Sequence, residues 1–124
     1  MAEYPKFSVA FNIGETDAER IAAFELYQEA FHAVKVYESR PPQGGDIHIT
    51  MQINGFYVLL GPGSRTNNGQ IVSCEMLYDD ETELRRAYGV LAKEGTNCSI
   101  GSYPWAPVGA LVTDKFGVTW WLRT

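Results

Sequence analysis

The sequence lacks the features that mark several large classes of protein. It has only two cysteines, Cys74 and Cys98, too few for a disulfide framework and without metal-ligand spacing between them. Lys and Arg are scattered and the formal net charge is −5, so the basic stripe that nucleic-acid binding needs is missing. We therefore expect two reduced, mostly buried thiols, with Cys98 the more exposed, and no nucleic-acid partner.

Signals for membranes and secretion are missing as well. No apolar run approaches the ~18 residues that a membrane-spanning helix needs. The segment 1–6 does not have the basic and then apolar layout of a secretory signal. The sequence therefore predicts no membrane partner and a cytoplasmic location.

Two hairpins organise what is present. Asn54-Gly55 separates the alternating apolar runs 47–53 and 56–60, and Asn-Gly in that setting is the strongest short-range hairpin signal. The run 108–122 has the same form, with a turn at Asp114–Gly117 whose glycine can adopt positive φ. The two turn glycines are separated by half of the 124-residue chain. This spacing indicates one fold unit used twice.

Each half predicts the same order of elements. The first has a strand over 6–11, a helix that begins with a capping box at Thr16–Glu19 and ends near His32 or Ala33, and a strand at 34–37 before the hairpin. The second has a strand over 70–78, a helix capped in the same way at Asp80 and stopped by Gly95, and a short strand around 98–100. Apolar stripes predict the buried helix faces: Ala23, Tyr27, Ala30 and Phe31, then Leu84, Ala87, Tyr88 and Leu91. The prediction is an α+β fold, one domain of two βαβββ units over 4–61 and 70–124 with a linker at 62–69.

Several phrases of the sequence resemble one known superfamily. They are Leu26–Phe31, His48 before Ile53-Asn54-Gly55, Tyr78-Asp79-Asp80, and Trp105 followed by Gly109, Thr113-Asp114-Lys115-Phe116-Gly117 and Trp120. Over nearly the whole chain they resemble the vicinal oxygen chelate superfamily, which includes glyoxalase I, bleomycin-resistance proteins and extradiol dioxygenases, and its PhnB-like branch in particular. The resemblance implies two units paired edge to edge into a curved cup of mixed sheet with the helices outside, a small molecule in the cup, and a homodimer.

The resemblance also implies where a metal ion would be bound. In metal-dependent members, His or Gln paired with Glu projects from the first and last strands of each unit. Carried over, these positions fall on Leu59, Ser73 and Trp121, and on Phe7 or Val9 in the first strand. None of these side chains is a ligand for a divalent ion, for which His, carboxylate or thiolate is expected. We therefore predict no metal site and no cofactor.

Glu75 is the candidate acid/base residue. It shares a strand face with Ser73 and Leu77, opposite Cys74 and Met76. If the latter two pack under the helix, Glu75 faces the cup. A carboxylate among aromatic side chains would have its pKa raised by desolvation and could transfer protons, whereas a carboxylate at a wet rim would not.

Strand alternation predicts the rest of the pocket. Tyr57 shares a face with Leu59, and Thr119 shares one with Trp121. The predicted floor consists of Ser73, Glu75, Tyr57, Leu59, Thr119 and Trp121, with Trp105 at the mouth. His48 is either part of this pocket or a polar residue on a half-exposed sheet face. The aromatic side chains could stack on a planar ligand or serve as core and dimer contacts.

Two functions remain open at this point. The first is a binding protein that holds a small aromatic or amphipathic molecule in the cup without the metal ligands of the family. The second is a small enzyme of the lyase or isomerase type, metal-independent or metal-dependent, that uses Glu75. A homodimer is expected in both cases because exposed strand edges need covering.

Overall fold

The structure is a computed structural model, and it describes residues 7–40, 44–63 and 73–124. Its elements are β1 (Val9–Asn12), α1 (Asp17–Phe31), β2 (Val34–Ser39), β3 (His48–Ile53), β4 (Phe56–Gly61), β5 (Cys74–Leu77), α2 (Glu81–Ala92), β6 (Thr96–Tyr103), β7 (Ala106–Thr113) and β8 (Thr119–Arg123). The order βαβββ occurs twice, which confirms the predicted α+β fold. The chain divides into two compact units, Met1–Arg65 and Thr66–Thr124, called unit 1 and unit 2.

Parts of three predicted segments lie outside the described residues. These are Lys6 of the first strand, most of the linker at 62–69, and Gln70–Val72 of the strand that opens unit 2. Among the described residues, neither helix is long and apolar enough to cross a membrane.

Unit 1 is a four-stranded mixed sheet with α1 packed on one face. The strand order is β1-β4-β3-β2, with β1 parallel to β4 and the other pairs antiparallel. At the β3–β4 turn, Asn54 and Gly55 both have positive φ, 49° and 88°. These angles belong to the two-residue turn whose twist matches that of the paired strands, so the Asn-Gly prediction is confirmed.

The ends of α1 follow from its sequence. The Thr16 hydroxyl accepts the Glu19 N–H at 3.2 Å, as predicted. The Glu19 carboxylate accepts from the Thr16 hydroxyl, also at 3.2 Å, rather than from a backbone N–H as a full capping box requires. The helix ends where His32 adopts the left-handed conformation, with φ 58°. All four residues of the predicted stripe are buried.

A buried arginine ties the start of α1 to the two residues that precede β3. Arg20 is fully buried, and its Nε donates to the Ile47 carbonyl at 2.8 Å. Its Nη2 lies 2.6 Å from Oδ1 of Asp17 and 3.0 Å from Oδ1 of Asp46. The pKa of Asp17 is lowered, first by the Ile47 N–H that its carboxylate accepts and then by the guanidinium groups of Arg20 and Arg40. The helical pattern of the sequence gives no sign of this network, because Asp46 and Ile47 lie far from Arg20 along the chain.

Unit 2 repeats the arrangement with the order β5-β8-β7-β6, β5 being parallel to β8. The Asp80 carboxylate accepts the Thr82 N–H at 2.9 Å, so Asp80 caps α2. This donor is two residues after the cap, whereas the donor in α1 is three residues after Thr16. The helix ends at Ala92, before Gly95. A Cβ at Gly95 would lie 2.7 Å from the carbonyl oxygens of Leu91 and Thr113, so close backbone approach requires this glycine. The strand predicted at 98–100 is longer because pairing with β7 extends it in both directions.

The turn between β7 and β8 is built on one buried carboxylate. Oδ1 of Asp114 accepts the N–H of Phe116 at 2.9 Å and that of Val118 at 3.1 Å. Its Oδ2 accepts the indole N–H of Trp120 at 2.9 Å. Gly117 has φ 94°, which closes the turn. The sequence Thr113–Gly117, the most specific part of the resemblance, therefore has a structural role in forming the hairpin.

Candidate functional site

In each unit the sheet has one face against its helix and an opposite face, called here the far face. In unit 2, Trp120 and Leu122 are buried on the helix side, and Trp121 points the other way. The strand registers place the following residues on the far face of unit 2: Glu75, Leu77, Gly109, Leu111, Thr113, Thr119, Trp121 and Arg123. Thr119 and Trp121 thus share a face, as strand alternation predicts.

Three rings form an aromatic cluster on this face, defined by Tyr103, Trp105 and Trp121. The Tyr103 and Trp121 centroids are 5.5 Å apart with the rings at 69°, an edge-to-face contact. The Tyr103 and Trp105 centroids are 5.3 Å apart with the rings at 30°. Trp105 lies at the turn between β6 and β7 and is 66% exposed. The cluster therefore runs from a half-buried indole to one that faces solvent.

Gly109 makes the cluster possible. A Cβ at this position would lie 2.9 Å from Cη2 of Trp121 and 2.9 Å from Cδ2 of Tyr103. Carbon atoms do not approach so closely, so any side chain here would push the two rings away from the sheet. Because Gly109 has no side chain, the rings of Tyr103 and Trp121 can pack directly against the backbone of β7.

Glu75 lies beside Trp121, its register partner on β8. Its side chain is 54% exposed, and Oε1 is 3.4 Å from Nε of Arg123. Glu75 is therefore a solvent-exposed, ion-paired carboxylate, and it does not lie in the desolvated aromatic setting that an acid/base role would use. Ser73, just before β5, is also exposed.

Two further hydroxyl groups in unit 2 are not available to a ligand as reactive groups. The Thr119 hydroxyl lies on the far face but is 3.0 Å from that of Thr113, and both residues are buried. Tyr78 follows β5 and interacts with Glu83 and Arg86 of α2, so it lies on the helix side. Burial, reinforced by the charge of Glu83, raises the pKa of its phenol to about 12.

Both thiols are free. Cys98 is exposed, as expected, but Cys74 is only half-buried. Cys74 points to the helix side of β5, where burial raises the pKa of its thiol and the negative charge of Asp114 adds to this effect. A thiol with a raised pKa is a poor nucleophile and a poor metal ligand, so its surroundings favour a structural role.

The far face of unit 1 carries the other predicted residues. Tyr57 pairs with Gln52, and Leu59 pairs with Thr50, so these residues share one face. His48, two residues before Thr50, lies on the same face and is half-buried. Tyr57 and Leu59 share a face as predicted.

The register of β1 shows which of its residues lies beside Leu59 on the far face. Ala10 pairs with Leu59, and Val9 pairs with Val58. Phe11, two residues after Val9, packs edge-on against the ring of Tyr27 on α1, with centroids 6.0 Å apart. Val9 therefore points to the helix side and Phe7 precedes the strand, whereas Ala10 lies beside Leu59 on the far face.

A β-bulge adds a residue that alternation could not predict. The register shifts between Lys35 and Tyr37, so Val34 pairs with Gln52 and Tyr37 pairs with Thr50. Both therefore lie on the far face, although three positions separate them. Tyr37 adds an exposed phenol to this face.

The predicted family positions do not supply a set of metal ligands. Leu59, Ser73 and Trp121 offer hydrocarbon, one hydroxyl and an indole whose nitrogen carries a hydrogen. In the strand registers Ala10 lies beside Leu59, and the single carboxylate Glu75 lies beside Trp121. A divalent ion is held by imidazole, carboxylate or thiolate groups. Within residues 7–40, 44–63 and 73–124, no three His, Cys, Asp or Glu side chains are grouped to hold a metal ion.

The fold defined above is one that known proteins share. No protein-family model and no curated protein matches the chain. Solved structures do, and their likeness confirms the fold of the vicinal oxygen chelate superfamily. A PhnB protein from Bacillus cereus is 24% identical with a TM-score of 0.79, covering 96% of this chain and 98% of its own.

Two further structures show the same fold. A Pseudomonas aeruginosa protein is 18% identical with a TM-score of 0.75, covering 95% of this chain and 97% of its own. The fosfomycin resistance protein FosX from Mesorhizobium loti is 16% identical with a TM-score of 0.65, covering 100% and 93%. At these identities the likeness describes the fold, and the function has to be argued from the residues of this chain.

Proposed function

We propose that this protein binds a small aromatic or amphipathic molecule against the aromatic cluster of unit 2. The observation that carries the proposal is the exposure of Trp105, which leaves a large indole surface in water although it contacts Tyr103. Exposed aromatic surface that belongs to a packed cluster is typical of a binding site. A planar ligand would cover the indole and remove its apolar surface from water.

The surroundings of the cluster suit such a ligand. Leu77 is exposed and Leu111 half-buried on the same face, which adds apolar surface beside the rings. Glu75 and Arg123 provide one negative and one positive group at the edge of this surface. An apolar area with few polar groups is the usual make-up of a small-molecule site, in which the charged groups orient the polar end of the ligand.

The predicted residues of unit 1 stay predictions as ligand-facing positions of that unit by itself. They are Tyr57, Leu59 and His48, all on its far face. We also retain the homodimer and the cytoplasmic location as predictions. The edge strand β6 is exposed along all but its last residue, which leaves a row of backbone groups for a second chain to cover.

The alternative function is an enzyme with Glu75 as the acid/base residue. The exposure of Glu75 and its ion pair with Arg123 favour a role in orienting a ligand over a role in proton transfer, so binding without turnover is the better supported proposal. Glu75→Gln distinguishes the two. In a binding protein it changes affinity, whereas in the enzyme it abolishes turnover and leaves binding in place.

Calorimetric titration of planar aromatic compounds, beginning with 2-naphthol and 9-aminoacridine, tests the proposal. We expect Trp105→Ala to weaken the binding of any compound that the protein holds by about three- to tenfold, the usual value of one aromatic pair. Phe56→Ala is the matched control, since Phe56 is a 74% exposed aromatic residue at a hairpin turn of unit 1. Equal losses in the two variants, or no binding by any planar compound, would contradict the proposal.

A further inference from the structure

The far face of unit 1 differs from that of unit 2 in having no charge. None of the described residues that the strand registers place there is Asp, Glu, Lys or Arg. Its polar members are Asn12, Tyr37, Ser39, His48, Thr50, Gln52 and Tyr57. A charged ligand group would lose hydration on this face without gaining an opposite charge. The face therefore suits an uncharged, hydrogen-bonding group.

His48 offers one hydrogen-bond acceptor on this face. Its Nδ1 lies 3.2 Å from the carbonyl oxygen of Asp46. A carbonyl only accepts, so Nδ1 carries the hydrogen, and Nε2 of the neutral ring keeps a lone pair. Among the residues that the structure describes, none donates a hydrogen bond to Nε2. Nε2 is therefore available to a donor from outside.

Gly61 forms the floor of a notch next to His48. A Cβ at Gly61 would lie 3.7 Å from Cδ2 of His48 and 3.4 Å from Oδ1 of Asn12. Gly61 is not among the glycines with positive φ, so the backbone does not require a glycine there. Its effect is to leave a gap between two polar side chains, called here the polar notch and defined by Asn12, Gly61 and His48.

Asn12 provides the other side of the polar notch. It is exposed, and its side-chain amide makes no hydrogen bond within the described part of the chain. An amide carries two donors and one acceptor, and it can turn either to the ligand. The polar notch therefore presents an acceptor on His48 opposite a group that can donate.

We propose that the polar notch binds an uncharged ligand group in which a hydrogen-bond donor lies next to an acceptor, such as an amide or a lactam. The ligand N–H donates to Nε2 of His48, and its carbonyl accepts from the Asn12 amide. The absence of charge on this face selects against carboxylates and ammonium groups. This inference goes beyond the proposed function, which names His48 only as a ligand-facing position, because it assigns to His48 and Asn12 a ligand chemistry different from that bound at the aromatic cluster.

Nitrogen NMR of the imidazole rings tests this proposal with two matched probes. 2-Pyrrolidinone has an N–H beside its carbonyl, and N-methyl-2-pyrrolidinone lacks that donor. At about pH 8, where imidazole is neutral, the first probe should shift the Nε2 signal of His48, and the second should not. His32, the other histidine, serves as the internal reference because it lies at the end of α1.

Two variants separate a site from a chance contact. Gly61→Ala fills the polar notch with a methyl group at ordinary contact distance, and we expect it to abolish the shift. Gly89→Ala is its control, since nothing lies within 4 Å of a Cβ at that helical position. Asn12→Ala should weaken the binding of 2-pyrrolidinone about fivefold through loss of one hydrogen bond, and it tests the proposal if Gly61→Ala does not fold.

Three results would overturn the inference. They are equal shifts with the two probes, an unchanged shift in Gly61→Ala or Asn12→Ala, and no shift of His48 with 2-pyrrolidinone. The signals of the aromatic cluster report separately on the proposed function. A failure at His48 with binding at Trp105 intact would remove the polar notch alone.

Discussion

Replacement of Asp114 by Asn tests how the second hairpin is held. The buried carboxylate accepts three hydrogen bonds, from two backbone N–H groups of the turn and from the indole of Trp120. Asn has almost the same shape but turns one acceptor oxygen into an NH₂ donor. Whichever way the amide lies, at least one N–H then faces another donor.

The size of the effect follows from these contacts. A buried donor left without a partner costs about 1–3 kcal/mol, and hydrogen bonds to charged groups are worth about 1.5–3 kcal/mol. We expect Asp114→Asn to lower the free energy of unfolding by about 2–3 kcal/mol. Asp114→Ala, which removes all three bonds, should cost about 4 kcal/mol. Urea unfolding followed by circular dichroism measures both values.

A double variant isolates the bond to Trp120. Trp120→Phe removes the indole N–H, so the Asn of the double variant no longer faces that donor. The combined loss should be about 1 kcal/mol smaller than the two single losses together. Asp79→Asn, at an exposed position before α2, should change stability by less than about 0.5 kcal/mol. An Asp114→Asn cost as small as that of Asp79→Asn, or strictly additive losses, would refute this account of the turn.

Three other predictions concern the cluster, the buried arginine and assembly. Gly109→Ala should cost about 1–3 kcal/mol and alter the near-UV circular dichroism of the aromatic cluster, since its Cβ overlaps two rings, whereas Gly89→Ala should not destabilise the protein. The folded pKa of Asp17 lies below its ordinary value of 3.8, so its contribution to stability is present above that value and is lost as the pH falls through the folded pKa. Unfolding of wild type and Asp17→Asn should therefore differ most above pH 3.8 and converge in stronger acid, and a constant difference down to the lowest pH would contradict this. Sedimentation should show a dimer at micromolar concentration, and monomer alone would count against the homodimer.

The parts of the fold that were predicted from sequence are those set by neighbouring residues. Asn54-Gly55 specifies its turn through its own backbone angles, and Thr16 and Asp80 begin helices by accepting an N–H two or three residues away. The buried stripe of α1 follows from its helical period. Because the two halves of the sequence are alike, the elements predicted for one unit also predict those of the other.

The parts that were missed depend on partners far along the chain. Arg20 looks like an exposed helix residue until Asp46 and Ile47 are brought to it by the fold. The position of Ala10 depends on a parallel pairing with β4, and no turn connects the two strands to set that register. The bulge before Tyr37 likewise needs the partner strand to be seen.

For the candidate site, strand alternation predicted which residues share a sheet face, but it did not predict the side-chain contacts on that face. It placed Trp121 and Thr119 correctly on one face. It does not show that the Thr113 hydroxyl engages Thr119 or that the Arg123 guanidinium lies beside Glu75, because both contacts join different strands. Tyr103 was not predicted, because its contact with Trp121 joins β6 to β8 and has no local signal in the sequence. The sequence does not indicate that Glu75 is exposed, because alternation gives the face of a strand residue but not how much of that face is covered.

The most direct test of ligand binding at the aromatic cluster is a titration followed through the indole N–H signals of the three tryptophans. With a planar aromatic compound such as 9-aminoacridine, we predict shifts at Trp105 and Trp121 that saturate together. The Trp120 signal should stay in place, because its N–H is held by Asp114 on the helix side of the sheet. Shifts confined to Trp120, or no saturable shift at Trp105 with any planar compound, would contradict the account.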